Sequence, residues 1–115
     1  MMALMEEDVS QLLSPPAMLR AKALAILRAR EHELRAKGVT GIALFGSTAR
    51  GEAGSASDVD LVLELDESAA LGLLDLVDLK ETLAEELGRP VDIAFRSRLR
   101  PWLAARIAPD LVRVF

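Results

Sequence analysis

The sequence predicts one α/β domain, of the α+β type, in which helices pack against a small sheet. Its 115 residues are enough for one hydrophobic core but not for two domains. Apolar residues make up 51% of the chain and are mostly Ala, Leu and Val, with only 3% aromatics, which is typical of globular helix-and-sheet domains. Helical and strand-like patterns alternate along the chain. We therefore expect residues 1–115 to form a single domain.

Charge and residue usage exclude several classes of protein. The net charge of −4 provides no positive field to attract nucleic acid, so direct nucleic-acid binding is not expected. The absence of cysteine excludes disulfide scaffolds and thiolate metal sites and agrees with a reducing compartment. The acidic start is unlike a secretory signal, and no apolar run approaches the ~20 residues of a membrane span. These features predict a cytoplasmic protein without a membrane segment.

The first predicted element is a helix over residues 15–37. Ser14 is suited to cap it, and Pro15 and Pro16 are tolerated in its first turn, where their missing N–H groups are not needed. Gly38 is suited to a left-handed C-cap. The apolar residues that recur at helical spacing are Leu19, Ala23, Ile26, Leu27 and Leu34.

Two strands follow, separated by a polar loop. Residues 39–45, VTGIALF, are apolar and partly β-branched and end at a glycine, which favours a strand. Residues 58–65, DVDLVLEL, alternate between an apolar face and a face that carries Asp58, Asp60 and Glu64. The second strand is therefore expected to bury one face and present acids on the other.

The C-terminal half is predicted to contain a helix, a third strand and a last helix. Polar residues 66–68 precede a helix that ends at Gly88. The leucines expected on its inner face are Leu73, Leu76, Leu79, Leu83 and Leu87. Residues 91–95, VDIAF, form the third strand, with Asp92 opposite its apolar face. A basic turn follows, formed by Arg96, Arg98 and Arg100. Residues 102–107 form the last helix, which leads to an apolar end, LVRVF.

The loop between the first two strands, GSTARGEAGSASDVD at residues 46–60, is rich in small residues. Backbone N–H groups and the hydroxyl of Gly46-Ser47 can face an anion at the start of a short helical turn, and glycine permits close approach. A P-loop would need Gly-Lys-Ser/Thr, which is absent at Gly51. An EF-hand would need further oxygen ligands and a glycine where this chain has Leu61. We interpret the segment as a phosphate-binding loop.

Three acids are expected beside this loop. Asp58 and Asp60 are two residues apart on a strand, so their side chains leave the same face with Cα atoms roughly 6–7 Å apart. If the third strand is a neighbour, Asp92 joins them. Carboxylates this close repel each other, whereas divalent cations would let all three stay ionised. All-oxygen ligands favour Mg²⁺ or Mn²⁺, and the only histidine, His32, is expected to be solvated on the charged side of the first helix.

Together these motifs resemble those of a known superfamily. Gly46-Ser47, ten intervening residues, Asp58-Val59-Asp60 and a third acid at Asp92 resemble the DNA polymerase beta-like nucleotidyltransferases. GSTARG followed by SDVDL is similar to the minimal nucleotidyltransferase (MNT) group, and the resemblance covers nearly the whole chain. It implies a nucleotidyltransferase fold, with a small mixed β-sheet flanked by helices. It also implies transfer of a nucleoside monophosphate from an NTP to a hydroxyl, with release of pyrophosphate.

The resemblance implies roles for individual residues. Gly46 and Ser47 would hold the β- and γ-phosphates of the nucleotide. Asp58 and Asp60 would ligate two Mg²⁺ ions. Asp92 would ligate the ion nearer the acceptor and help to deprotonate the acceptor hydroxyl. Such a pair of ions stabilises both the attacking and the leaving oxygen of an in-line displacement.

Three further features have more than one interpretation. Arg50 would either neutralise triphosphate charge or pair with a nearby acid and shape the loop. The basic turn at residues 96–100 would either follow an RNA acceptor or be solvated, and the acidic chain favours solvation. Trp102 is assigned to packing or partner contact rather than to base stacking.

MNT proteins resemble the antitoxin half of toxin–antitoxin pairs whose partner is a helical HEPN ribonuclease. The resemblance implies a Mg²⁺-dependent adenylyltransferase that moves AMP from ATP to a protein hydroxyl, such as a tyrosine of the HEPN partner, with which it could assemble. A second hypothesis is an antitoxin that neutralises its partner by contact alone. A third is transfer to a small molecule, as in antibiotic-modifying relatives, which the lack of an acceptor-binding domain disfavours.

Overall fold

The structure is a computed structural model that describes residues 15–52, 58–69 and 71–115. The predicted cap at Ser14 lies outside the described residues. The elements are, in chain order, α1 (Pro15–Ala29), α2 (Glu31–Ala36), β1 (Val39–Phe45), α3 (Gly46–Arg50), β2 (Val59–Leu65), α4 (Leu73–Leu87), β3 (Val91–Phe95), α5 (Pro101–Ile107) and β4 (Val112–Arg113). Short 3₁₀ turns at Arg96–Arg98 and Ala108–Asp110 flank α5.

The four strands form one mixed sheet with the order β3-β2-β1-β4. The β1 strand runs antiparallel to β2 and β4, and β3 runs parallel to β2. This arrangement confirms the predicted fold class, a small mixed sheet flanked by helices. The fourth strand was not predicted, because two residues are too short for a periodic signal. It is anchored by an N–H donated from Val114 to the Ile42 carbonyl, 2.9 Å away.

The hydrophobic core lies between the helices and one face of the sheet. Side chains alternate along β2, so Val59, Leu61 and Leu63 are fully buried on that face while Asp60 and Glu64 leave the other. The helices contribute to the core Leu19, Ala23, Leu27, Leu34, Leu79, Leu83 and Leu87. The acids of β2 are thereby directed away from the core.

The predicted helix over residues 15–37 is two helices rather than one. The N–H of Arg30 donates to the Leu27 carbonyl, three residues back, at 3.1 Å, and Leu34 donates back to Arg30 at 2.9 Å. This tighter turn separates α1 from α2 but keeps both Leu27 and Leu34 buried. The apolar periodicity therefore predicted the buried face correctly, but it did not reveal the break between the two helices at Arg30.

The inward orientation predicted for Leu73, at the start of α4, was wrong. Residues 66–68 form a turn, closed by an N–H from Ala69 to the Asp66 carbonyl, and the helix begins only at Leu73. The Gly72 N–H donates to the Asp75 carboxylate at 3.0 Å, which satisfies one N–H at that helix end. Leu73 was predicted to face inward but is 77% exposed, because the first turn of α4 carries it away from the core.

Among the helices that the structure describes, none combines the length and apolar composition needed to cross a membrane.

Candidate active site

The junction of β1 and α3 places a glycine directly against an acid. Phe45 is extended, and Gly46 has φ +70°, a left-handed conformation that favours glycine. A Cβ atom at this position would lie 2.6 Å from Oδ2 of Asp60. Both the backbone conformation and the space therefore require glycine. The first N–H groups of α3 have no partner within the helix, and they begin beside this carboxylate.

A buried hydroxyl ties α3 to the start of β2. Thr48 is fully buried, and its Oγ1 donates to the Asp58 carbonyl at 3.3 Å. The N–H of Glu52 donates to the Ser47 carbonyl at 2.9 Å, and Gly51 ends α3 with φ +71°. Gly51 is thus a turn residue. Thr48 was missed in the sequence because no spacing distinguishes it from its small neighbours.

The strand register brings Asp60 and Asp92 together. Asp60 pairs with Phe45 on β1 and with Asp92 on β3, where the strands are neighbours. Adjacent strands lie ~4.8 Å apart, so the two backbones approach closely at this point. Asp58 precedes Asp60 by two residues, next to the first residue of β2. The second and third strands are thus neighbours, which was the condition for Asp92 to join Asp58 and Asp60.

The electrostatics of Asp60 reflect these neighbours. Partial burial raises the pKa of Asp60 above its ordinary value, and the negative charges of Asp92 and then Asp58 raise it further. Within the part of the chain that the structure describes, no basic group compensates the charge of Asp60. A cation bound between the acids would remove this repulsion.

The donor types fit a divalent cation, since all three groups are carboxylates and such hard oxygens suit Mg²⁺. The positions of the three carboxylates fit a metal site less well than their chemistry does. Within residues 15–52, 58–69 and 71–115, no three acids or histidines are gathered closely enough to hold a metal ion. The Asp92 side chain is 60% exposed, and its Oδ1 lies 4.0 Å from Nζ of Lys80. A shared site would thus require the carboxylates to move closer together.

Lys80 is a second residue that sequence reasoning missed. It lies on α4, is 53% exposed and is the only basic residue between Leu73 and Leu87, where five acids occur. An isolated positive charge in the helix that precedes the strand of Asp92 was the feature of the sequence that could have indicated Lys80. Exposed ion pairs at this distance contribute at most ~1 kcal/mol to stability.

Arg50 makes contacts that agree with the second of its two interpretations. Its Nε donates to Oε2 of Glu52 at 3.0 Å, and its Nη1 donates to Oδ2 of Asp110 at 3.3 Å. The second bond connects α3 to the turn that precedes β4. A role in neutralising triphosphate charge stays a prediction.

The remaining candidates lie at the surface. His32 is exposed, as expected. Arg96 pairs with Glu64 at 3.4 Å, and the Arg98 guanidinium lies 5.7 Å from the centre of the Phe95 ring. Trp102 is 62% exposed, which does not support its assignment to packing and leaves partner contact as a prediction.

Comparison with known proteins identifies a protein family and several similar proteins. A model of the family described as the nucleotidyltransferase domain matches residues 26–113. A protein adenylyltransferase, MntA of Thermococcus cleftensis, is 38% identical over 91 residues, which cover 78% of this chain and 90% of that protein. A solved structure provisionally described as a minimal nucleotidyltransferase is 35% identical, with a TM-score of 0.58 over 77% of this chain and 93% of the other.

One further solved structure shares the fold. It contains a tri-AMPylated HEPN toxin of Shewanella oneidensis in complex with an MNT antitoxin. The similarity has a TM-score of 0.54 at 18% identity and covers 80% of this chain and 71% of the other.

Proposed function

This chain belongs to the nucleotidyltransferase domain family, and from its site we propose that it transfers AMP from ATP to a hydroxyl group of another protein. The observation that carries the proposal is the contact between Gly46 and Asp60. It joins the start of the phosphate-binding loop to an acid whose raised pKa indicates an uncompensated negative charge. Nucleotidyl transfer needs a phosphate site and a carboxylate cluster side by side.

In this proposal the start of α3 binds the pyrophosphate end of ATP. The free N–H groups of the first turn and the Ser47 hydroxyl donate to the β- and γ-phosphate oxygens, which helix N-termini favour. Thr48, held by the Asp58 carbonyl, fixes this turn relative to β2. The binding turn is therefore connected directly to the strand that carries the acids.

Asp58, Asp60 and Asp92 are the proposed ligands of two Mg²⁺ ions. When bound, the ions would neutralise charge on the attacking oxygen, the leaving oxygen and the transferred phosphoryl group. Asp60 lies between the other two acids, so it would contribute to both positions. Asp92, exposed on the edge strand β3, lies on the side from which an acceptor can approach.

The chemical step exchanges a phosphoanhydride bond of ATP for a phosphodiester bond to the acceptor. The acceptor oxygen forms a bond to the α-phosphorus, the bond from the α-phosphorus to the bridging β-oxygen breaks, and pyrophosphate leaves. The proton of the acceptor hydroxyl passes to the Asp92 carboxylate, whose Oδ1 lies 4.0 Å from Nζ of Lys80. Asp92 thus serves as ligand and as general base in this proposal.

The proposed acceptor is a tyrosine of a HEPN-type ribonuclease, which the chain would silence as an antitoxin. This sequence contains no tyrosine, so the acceptor of such a reaction must be on another molecule. The similar MntA of Thermococcus cleftensis is named as a protein adenylyltransferase, and an MNT antitoxin of the same fold occurs with an AMPylated HEPN toxin. Both relatives support this acceptor class.

The experiment is a labelling comparison with a purified HEPN-type protein from the same genome. With Mg²⁺ and ATP labelled on the α-phosphate, label should enter the HEPN protein on tyrosine, and its ribonuclease activity should fall. ATP labelled on the γ-phosphate should transfer nothing. Transfer of the γ-label, or absence of α-label from the HEPN protein, would refute the proposal.

A further inference from the structure

The face of the sheet opposite the helices carries a depression, here called the open-face depression. Residues two apart on a strand share a face, so Val62 and Glu64 leave the sheet on the same side as Asp60. The strand register puts Ala43 opposite Val62 and Gly41 opposite Glu64. The residues that line the open-face depression include Gly41, Ala43, Val62, Glu64, Arg96 and Arg113. It therefore lies on the same face as the acids of the candidate active site.

The floor of the open-face depression depends on the missing side chain of Gly41. This residue is buried in β1, and a Cβ atom there would lie 3.3 Å from Oε2 of Glu64 and 3.4 Å from Nη2 of Arg113. Pairing with β2 is irregular between Val39 and Gly41, but the φ of Gly41 is not positive, so the backbone does not require glycine. Glycine weakens a strand, and it is found where a ligand approaches the backbone closely.

Two charged groups of opposite sign reach over this floor. Oε1 of Glu64 lies 3.4 Å from Nη1 of Arg96, whereas Oε2 of Glu64 is the oxygen directed over Gly41. Arg113 is exposed and has no hydrogen-bond or ion-pair partner among the residues that the structure describes. The open-face depression thus offers a carboxylate that accepts hydrogen bonds and a guanidinium that donates them, above a floor of small and apolar residues.

The open-face depression is in line with the proposed phosphate site. The binding turn at Gly46-Ser47 follows β1 directly, and Phe45, which pairs with Asp60, shares one face of β1 with Ala43 and Gly41. Five residues of strand span about 17 Å, which separates the binding turn from the far end of the depression. A nucleotide with its β- and γ-phosphates at the turn and its α-phosphate beside Asp60 can therefore extend its nucleoside back along β1.

We propose that the open-face depression binds the adenine of ATP, with Glu64 accepting from the amino group and Arg113 donating to a ring nitrogen. This inference rests on the proposed function and adds the site that selects the nucleobase. The volume of about 150 Å³ suits one ring system rather than a whole nucleotide. Adenine carries an amino donor beside a ring-nitrogen acceptor, whereas the same edge of guanine carries two acceptors and would place an oxygen against the Glu64 carboxylate.

A tyrosine ring of the acceptor is a poorer occupant than a nucleobase. Its hydroxyl would have to reach the acids, so only the apolar edge of the ring would meet Glu64 and Arg113. Both charged groups would then lose water without gaining a hydrogen bond. The acceptor is also proposed to approach at β3, whereas Arg113 lies on β4, the opposite edge of the sheet.

The floor is tested by calorimetric titration of the intact chain with Mg²⁺ and either ATP or inorganic triphosphate, which lacks a nucleobase. Gly41→Ala places a methyl group in the depression and should weaken ATP binding by about tenfold, and Gly41→Val should weaken it further. Affinity for inorganic triphosphate should stay at the wild-type value in both. Because glycine weakens a strand, Gly41→Ala should not lower the unfolding temperature.

The polar groups are tested in the same titration with GTP added to the comparison. Arg113→Gln should weaken ATP binding by about tenfold, as for a hydrogen bond to a charged group. The wild type should prefer ATP to GTP, and Glu64→Gln should lose most of this preference, because an amide can also donate to the guanine oxygen. The matched controls, Arg106→Gln and Glu81→Gln, change exposed residues that do not line the depression and should bind as the wild type does.

Each outcome decides the inference. Wild-type ATP affinity in both Gly41→Ala and Arg113→Gln would overturn it, as would a wild type that binds ATP no more tightly than inorganic triphosphate. Unchanged ATP affinity of Gly41→Ala with a raised KM for the HEPN-type protein would assign the depression to the acceptor instead. The expected losses of ATP affinity, together with no transfer of the α-label by the wild type, would keep the nucleobase site and remove the proposed catalysis.

Discussion

Oδ2 of Asp60 lies 2.6 Å from the point that a Cβ atom on Gly46 would occupy. Gly46→Ala should therefore both strain the backbone and displace the carboxylate. A left-handed alanine costs about 1 kcal/mol, and the contact adds to this. We expect a loss of stability above 1 kcal/mol and loss of AMP transfer, measured by chemical denaturation and by α-label incorporation.

Gly51→Ala is the matched control for this substitution. Gly51 has nearly the same φ, +71°, but among the described residues an added Cβ would meet only the Arg20 guanidinium, whose Nη1 lies at an ordinary 3.6 Å. Gly51→Ala should lose only the stability that a left-handed alanine costs, and it should keep most of the activity. Equal losses of activity in the two variants would mean that the contact with Asp60 is not important.

The raised pKa of Asp60 predicts a pH-dependent stability. The folded state binds this proton more tightly than the unfolded chain, so the contribution of Asp60 is fully present below its ordinary pKa of 3.8. It is lost as the pH rises through the higher folded value. Without divalent ions, Asp60→Asn should therefore gain unfolding temperature over the wild type as the pH rises above 3.8.

The unfolding temperatures are compared in EDTA across this pH range. Glu81→Gln, which changes an exposed acid of α4, should follow the wild type at every pH. A difference between Asp60→Asn and the wild type that shrinks with rising pH would contradict the charge repulsion inferred for this site.

Ser47→Ala tests the phosphate-binding loop. The Ser47 hydroxyl is proposed to donate to a phosphate oxygen rather than to the fold, so its loss should weaken ATP binding by roughly tenfold, as for a hydrogen bond to a charged group. Stability should change by less than about 0.5 kcal/mol. Calorimetric titration with ATP and Mg²⁺ measures the affinity, and unchanged affinity would make Ser47 a structural residue.

Arg50→Gln and Asp110→Asn separate the two interpretations of Arg50. Because the 3.3 Å pair lies at the surface, each substitution should reduce stability only slightly. The double variant should lose no more than Arg50→Gln alone, because that substitution already removes the bond to Asp110. We expect the KM for ATP to be nearly the same in both single variants. A higher KM in Arg50→Gln alone would assign this side chain to the triphosphate.

The sequence predicts best what depends on local periodicity. The strand at Val91–Phe95 has the predicted bounds, and β1 coincides with residues 39–45, because alternation and glycine boundaries are strong local signals. Helix interruption at Arg30 and the exposure of Leu73 depend on where a helix lies relative to the core. Neither is encoded in spacing, so both escaped prediction.

The candidate site shows the same division. The spacing of Asp58 and Asp60 predicts a common face, and the pairing of Asp60 with Asp92 followed from an assumption about strand order that the sheet confirms. Lys80 is twelve residues from Asp92 and meets it only through the packing of α4 against β3. Contacts of that kind depend on the tertiary arrangement rather than on a motif.

The central claim is that this chain is a catalyst and not a stoichiometric inhibitor. The most direct test is the intact mass of the HEPN-type protein after incubation with ATP, Mg²⁺ and about one hundredth of a molar equivalent of the chain. A catalyst turns over, so nearly all of the HEPN protein should gain the mass of one or more AMP groups. Asp92→Ala or added EDTA should abolish the gain. No mass gain, with inhibition that needs a full molar equivalent and persists both in EDTA and with Asp92→Ala, would contradict the account.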